Sequence, residues 1–284
     1  MSTPLERLRG RVELLGAPLC VGLDPHPDRL PEGLPPGIRG VEMVARGLLE
    51  ATAEHVAAVK INVAFFEAFG SGGWAALERL RRDVPPELLC ILDAKRGDIG
   101  STAERYAEGL FGHLAADAVT LSPYLGEDAI EPFLAFPDRV VFVLARTSNP
   151  SASRVQGALV DGRPVHELVA QWVAERWTDG RVGLVVGATA PEELARLRAA
   201  VPGPGFLVPG VGAQGGDLAA AVRLCGRTWA PGVVSVSRGI AEASTGPDWR
   251  EAASLAASDL RGRMREAVLH SPSTAAHPAH LGGS

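Results

Sequence analysis

The densest chemistry in the chain lies in Ile91-Leu-Asp-Ala-Lys-Arg-Gly-Asp-Ile-Gly100. In Asp93-x-Lys95-x-x-Asp98 an ammonium group stands between two carboxylates. Side chains alternate faces along a strand, so Asp93 and Lys95, at the end of an apolar run, point the same way. Gly97 permits a turn, and Asp98 follows on the loop. The bland alternatives are a structural ion pair, or Asp98 capping the next helix. The choice of cation favours chemistry. Of 28 basic residues, two are lysine, Lys60 and Lys95, and 26 are arginine. Base-composition bias accounts for the arginine excess, but not for where the two exceptions fall. A lysine ammonium can give up a proton, whereas arginine is effectively always charged.

Lys60 lies in the apolar run Val56-Ala-Ala-Val-Lys-Ile-Asn62. A buried lysine is costly unless paired, so it needs a carboxylate nearby. Asp24, in Val21-Gly-Leu-Asp-Pro25, ends the preceding strand, and Asp93 ends the following one. If the three strands are neighbours, Lys60 sits between two acids. Taken alone, Asp24 reads equally as a turn residue before Pro25.

Further along, Val208-Pro-Gly-Val-Gly-Ala-Gln-Gly-Gly-Asp217 is a glycine-rich loop that opens a helix. Such loops offer free backbone N–H groups to an anion. Arg238, in Ser235-Val-Ser-Arg-Gly239, would add a bidentate clamp, and Gln214 an amide donor. Together they suggest a phosphorylated ligand, although glycines alone indicate only a tight loop. In Arg146-Thr-Ser-Asn-Pro150, serine and asparagine are suited to reading a polar ring, or to making a plain turn.

These residues need a scaffold that brings several strand ends together. Strands are expected at Leu19–Leu23, Ala57–Val63, Leu88–Asp93, Ala118–Leu121, Val140–Ala145, Val182–Gly187, Gly205–Val208 and Val233–Val236. Amphipathic helices are expected at Val41–His55, Gly73–Arg82, Thr102–Leu110, Ala129–Ala135, Val165–Trp177, Pro191–Ala200, Asp217–Leu224 and Trp249–Val268, with an extra helix, Leu5–Leu15, in front. Near-continuous apolar strands are the mark of parallel strands covered on both faces. Eight such repeats predict an α/β fold, a single (β/α)8 TIM barrel with an extra N-terminal helix over residues 1–270. Polar residues cluster where the apolar runs end, at Asp24, Lys60, Asp93, Ser122, Thr147 and Arg238. That is the end at which this fold places its chemistry. The Gly-x-Gly-x-x-Gly match, Gly210 to Gly215, follows the seventh strand and not the first, which weakens a dinucleotide-binding reading.

The chain's 284 residues match one barrel, and 46% hydrophobic with 21% charged residues exclude a disordered chain. A net charge of −5 gives no nucleic-acid footprint. No apolar run is long enough to span a bilayer, and the N-terminal residues lack a secretory signal, so a cytoplasmic protein is expected. Cys20, Cys90 and Cys225 are read as reduced thiols without metal-ligand spacing. The tail, residues 271–284, is read as disordered from its Ser, Pro, Ala, Gly and His content.

Taken together, Gly-Leu-Asp-Pro, Leu-Asp-Ala-Lys-Arg-Gly-Asp-Ile, Arg-Thr-Ser-Asn-Pro, Val-Pro-Gly-Val-Gly-Ala-Gln-Gly-Gly-Asp and Ser-Arg-Gly-Ile resemble orotidine 5′-phosphate decarboxylase in its longer bacterial form. The resemblance runs from about Cys20 to Ile240. It implies a cofactor-free, metal-free barrel that makes uridine 5′-phosphate and works as a homodimer with active sites at the subunit interface. By the same resemblance Asp24 and Lys60 hold the ribose and extend the charge array. Asp93 faces the scissile carboxylate and Lys95 donates the proton. Asp98 reaches the partner's site, Ser148 reads the pyrimidine, and Gln214 and Arg238 hold the phosphate. Residues 151–163 receive no role. The competing readings are a metal-dependent sugar-phosphate decarboxylase or synthase of the same barrel type, a Schiff-base aldolase using Lys60 or Lys95, and a non-catalytic phosphate-binding barrel.

Overall fold

The computed structural model describes residues 2–188, 191–211, 217–226 and 231–269. The tail 271–284 and Gln214 lie outside the described residues. Eight parallel strands close into a barrel: β1 (Leu19–Gly22), β2 (Ala58–Asn62), β3 (Leu89–Arg96), β4 (Ala118–Leu121), β5 (Val140–Arg146), β8 (Val182–Val186), β9 (Phe206–Pro209) and β10 (Val233–Val236). The remaining two, β6 (Leu159–Val160) and β7 (Arg163–Pro164), form a small antiparallel hairpin after β5. Sequential barrel strands are neighbours, and β10 returns to β1. The expected barrel is therefore observed.

The helices are α1 (Pro4–Leu15), α2 (Ile38–Thr52), α3 (Ala64–Glu67), α4 (Gly70–Asp83), α5 (Gly100–Ala107), α6 (Glu131–Leu134), α7 (Val165–Arg176), α8 (Pro191–Ala200), α9 (Leu218–Leu224), α10 (Arg238–Ala241) and α11 (Trp249–Leu269). Two differ in kind from the sequence expectation. The helix expected over Thr102–Leu110 ends at Ala107 and continues as a π-helical turn, Glu108–His113. The one expected over Ala129–Ala135 shrinks to α6 behind a 3₁₀ turn, Glu127–Ala129.

The period-two rule sorts the barrel interior. Cys20, Ala58, Leu89, Ile91, Ala118, Val140, Phe142, Val185, Leu207 and Val233 form one buried cluster inside the barrel. Gly183 leaves room for Phe142 there: a Cβ at 183 would come within 2.8 Å of the ring. The extra helix α1 closes the N-terminal end. Its Leu8 is fully buried in the same cluster, and Leu5, Val12 and Leu15 pack against it. The helix begins with a Thr3–Glu6 capping box and ends at left-handed Gly16. Arg7 Nη2 donates to buried Asp117 Oδ1 at 2.6 Å, and Arg11 donates to the Ala53 and Val56 carbonyls. With that end stoppered, the open mouth is at the C-terminal ends of the strands.

Candidate active site

Continuing the interior parity upward gives the top layer. In β1 the sequence Cys20, Gly22 leads to Asp24; β2 supplies Lys60, β3 Asp93, β4 Thr120, and β10 Ser235 followed by Ser237. Leu144, Val185 and Leu207 come from β5, β8 and β9. All of these except Gly22 and Cys20 line a cavity of about 710 Å³, a size suited to a small ligand. Its wall has two halves, ionic across β1 to β4 and apolar across β5 to β9.

The ionic half is one alternating chain. Lys60 Nζ stands 3.4 Å from Asp24 Oδ2 and 3.1 Å from Asp93 Oδ2. Lys95 Nζ donates to Asp93 Oδ1 at 2.6 Å. The Lys60, Asp93 and Asp24 side chains are 7%, 10% and 14% exposed, whereas Lys95 is 48% exposed and free to reach into the cavity. Burial alone would neutralise Lys60, but the Asp24 and Asp93 charges outweigh it and raise its pKa above the usual lysine value. Burial likewise acts to raise Asp93, but the charges of Lys60 and Lys95, with hydrogen bonds from Lys95 and Thr120, hold it far below the usual carboxylate range. Lys60 and Asp93 therefore both stay ionised across the neutral range. The ammonium of Lys60 also fills the space where a bridging divalent cation would meet Asp24 and Asp93.

Each charge is held by further bonds. Asp24 Oδ1 accepts the Asn62 N–H at 2.9 Å, and its Oδ2 accepts the Ser237 hydroxyl at 3.0 Å. The approach of Ser237 needs Gly22, where a Cβ would lie 1.8 Å from Ser237 Oγ. Thr120, 1% exposed, donates its hydroxyl to Asp93 Oδ1 at 2.8 Å and accepts the Lys95 N–H at 3.0 Å.

The route by which Lys95 meets Asp93 differs from simple alternation. The β3–β4 register shifts between Leu92 and Arg96, and Lys95 has φ +46°. A left-handed non-glycine residue costs about 1–3 kcal/mol and persists where its surroundings fix it. Here the bond from its N–H to Thr120 does so. Lys95 is thus a left-handed residue at an irregularity within β3, and the strand ends at Arg96, just ahead of Gly97. Gly97 instead permits a close approach, a Cβ there lying 3.1 Å from the Ser122 carbonyl.

The profile of the "Orotidine 5'-phosphate decarboxylase / HUMPS family" matches residues 17–253. The chain belongs to this family. An orotidine 5'-phosphate decarboxylase of Roseiflexus castenholzii is 52% identical over 255 residues, 88% of this chain and 93% of that protein. One from Cupriavidus necator is 49% identical over 242 residues, covering 83% and 88%. The structure of Leishmania donovani OMP decarboxylase superposes with a TM-score of 0.83 at 39% identity, covering 95% of this chain and all of that one.

In this decarboxylase-family barrel the residues singled out by sequence are mostly brought together. Asp24, Lys60, Asp93, Lys95, Ser148 and Arg238 all line the cavity. Lys60 lies in the middle of β2, not at its end. Asp98 is not among the lining residues; its Oδ1 accepts the N–H of Ile99, and Ile99 rather than Asp98 is the cap residue of α5. Thr120, Ser237, Gln156, His26, Arg29 and Glu242 line the same cavity and escaped the sequence reading. Thr120 was findable, as the polar residue at an inward position of the apolar run Ala118-Val-Thr-Leu121. Arg29 and Glu242 were not, because their ion pair at 3.2 Å joins residues 213 apart in sequence. Among the described residues, no helix is long and apolar enough to cross a membrane.

Proposed function

We propose that this protein decarboxylates orotidine 5′-phosphate to uridine 5′-phosphate in pyrimidine biosynthesis, as a cytoplasmic, cofactor-free homodimer. The observation that carries the reading is the alternating Asp24–Lys60–Asp93–Lys95 chain at the mouth of a barrel of this family. A phosphate-binding module has no use for such an array, whose desolvation is unfavourable.

In this reading the pyrimidine lies against Leu144, Val185 and Leu207, its polar edge at Ser148, its ribose near Asp24 and Lys60, and its phosphate at Arg238 with Gln214. The bond from C6 to the carboxylate carbon breaks, CO₂ leaves, and the electron pair stays on C6 in the ring plane. The ammonium of Lys95 stabilises that charge and transfers one proton to C6, forming the C–H bond; solvent later reprotonates the amine. Asp93 faces the departing carboxylate. At about 4 Å and an effective dielectric near 20 their repulsion is roughly 4 kcal/mol. That is small against the 8–23 kcal/mol that enzymes typically supply, so stabilisation of the carbanion is the larger part. Asp98, which does not line its own cavity, serves the partner's site.

Loss of orotidine 5′-phosphate absorbance, with chelator and without added metal, tests the activity. A chelator-sensitive reaction supports the metal-dependent relative, and borohydride trapping with substrate would support the aldolase. Lys95→Ala is expected to bind uridine 5′-phosphate yet lose turnover, and Lys95→Arg to fail for want of a transferable proton. Mixed dimers of Asp98→Ala and Lys95→Ala chains should regain activity; confirmed heterodimers without rescue would place Asp98 within its own chain's site.

A further inference from the structure

Residues 151–163 received no role from sequence, yet Gln156 in this segment is bonded to the loop that carries Ser148. Pro150–Arg154 forms a 3₁₀ turn, then Gln156 turns back before the β6–β7 hairpin and α7. The Gln156 carbonyl accepts two hydrogen bonds from the first turn of α7, from the N–H of His166 and from His166 Nδ1, both at 2.9 Å. His166 is 4% exposed, so this anchor is inside the protein. The Gln156 side chain faces the other way, onto Thr147. Its Oε1 accepts the Thr147 N–H and its Nε2 donates to Thr147 Oγ1, both at 2.8 Å. The Thr147 carbonyl in turn accepts from Arg146 Nη1 at 3.0 Å. Behind the next residue, Ser148, stands Gly187, where a Cβ would lie 3.2 Å from Ser148 N and Cβ. Ser148 is therefore fixed through its clamped predecessor and by the close wall behind it.

The bonding has a forced direction. A backbone N–H only donates, so the Gln156 amide oxygen must face Thr147 N and its NH₂ must face the hydroxyl. That hydroxyl accepts from Gln156, so its own hydrogen goes to Asn149 Oδ1, at 2.6 Å. The Asn149 amide is then oriented too, with Nδ2 donating to Ser151 Oγ at 3.1 Å. Among the described residues one hydrogen on each amide nitrogen has no partner, and Gln156 and Asn149 both line the cavity. The orientation of the two amides thus supplies donors to this edge of the cavity.

We infer that Gln156 is the positioning residue of the ring-reading loop: it clamps Thr147, holds Ser148 at the wall, and sets the edge to select a pyrimidine bearing carbonyl oxygens over one bearing an exocyclic amine. The inference rests on the proposed reading of Ser148 as the residue that meets the ring. In a loop that merely needs a stable turn, the choice of base would not depend on that polarity.

Gln156→Glu separates the two. Glutamate keeps the bond to Thr147 N–H, but its second oxygen demands the hydroxyl's hydrogen, so Asn149 Oδ1 loses its donor and the polarity of the chain reverses. Uridine and cytidine 5′-phosphate binding by calorimetry, with kcat and KM for orotidine 5′-phosphate and a thermal melt, give the readout. The uridine nucleotide should bind about tenfold more weakly, the scale of one lost hydrogen bond, and its preference over the cytidine nucleotide should shrink by a similar factor. KM should rise while kcat stays within about threefold, because the contact is the same in the ground and transition states. Thr147→Val, which removes the hub hydroxyl, should move the preference the same way and decides the matter should Gln156→Glu not fold. An unchanged nucleotide preference in a folded variant, with wild-type turnover normal, overturns the inference alone. A wild-type protein that fails to turn over orotidine 5′-phosphate overturns the functional reading beneath it.

Discussion

Thr120→Val is the most informative single change at the site, because it alters no charge. Thr120 is buried, gives its hydroxyl hydrogen to Asp93 Oδ1 and takes the N–H of Lys95. Valine fills the same space without the hydroxyl, so Asp93 loses a donor and a left-handed Lys95 loses the acceptor that fixes its backbone. A hydrogen bond to a charged group contributes about 1.5–3 kcal/mol, and the bond lost at the Lys95 N–H adds about 0.5–1.5 kcal/mol. We expect stability to fall by roughly 2–4 kcal/mol on that basis. The rate should fall by about 10–100-fold, since misplacing a catalytic group by about 1 Å can cost that much. Uridine 5′-phosphate, which has no carboxylate to meet Asp93, should bind within about threefold of wild type, a difference below 1 kcal/mol. Optical turnover, calorimetry of the product and a thermal melt measure the three quantities, and Thr120→Ser should recover most of the rate. A folded Thr120→Val protein with kcat within twofold of wild type would show that Asp93 and Lys95 hold their places without it, and the argument for a rigid array would fail.

Three more perturbations follow from the same geometry. Gly22→Ala puts a methyl where Ser237 Oγ now lies, so Ser237 must swing off Asp24; we expect kcat/KM to drop at least about tenfold with 1–3 kcal/mol lost from overpacking, and near-wild-type kinetics would contradict the contact. For pH, the depressed Asp93 contributes stability that is present above the unfolded-state value near 4 and lost only as pH falls through its lower folded value, while the raised Lys60 contributes stability lost only as pH climbs through its folded value, above the ordinary lysine range. Neither group should titrate between about pH 5 and 9, so an acid limb in kcat centred above pH 5 that disappears in an Asp93 variant would refute the assignment. Burial pushes the thiols of Cys20, Cys90 and Cys225 up to about 12, so none should react with a disulfide reagent at pH 8 until the protein unfolds, and rapid native-state labelling would show that one of them is reachable.

The barrel was legible in the sequence because strands covered on both faces must be apolar almost without interruption, and eight such runs with helices between them leave few alternatives. Lys60 between two acids was legible for the same reason: its cost inside an apolar run could be met only by Asp24 and Asp93 on adjacent strands. The left-handed backbone at Lys95 was not, since no local signal marks a lysine for left-handed φ; the conformation follows from Thr120, 25 residues later, offering its hydroxyl to the Lys95 N–H. The role of Gln156 was hidden in the same way, through bonds to Thr147 and His166 made by a loop of unremarkable composition. Contacts made by loops depend on the closed scaffold, whereas periodicity reports the scaffold itself.

The neutrality of the array bears on why so costly an arrangement suits the proposed reaction. Asp24, Lys60, Asp93 and Lys95 carry two negative and two positive charges in alternation, so the array adds no net charge to the site, with three of its members buried and Lys95 half-exposed. The substrate's carboxylate brings one more negative charge to the array, apart from the phosphate at Arg238, and the total does not change as CO₂ leaves. What changes is its position, from a carboxylate beside Asp93 to C6 beside Lys95. A loose array would follow the charge and stabilise both states alike, lowering KM without raising kcat. An array whose members are tied to one another and to Thr120, Ser237 and the Asn62 N–H cannot follow, so it favours the displaced charge at no cost of reorganisation. On this argument the bonds that immobilise the charges matter to the rate as much as the charges do.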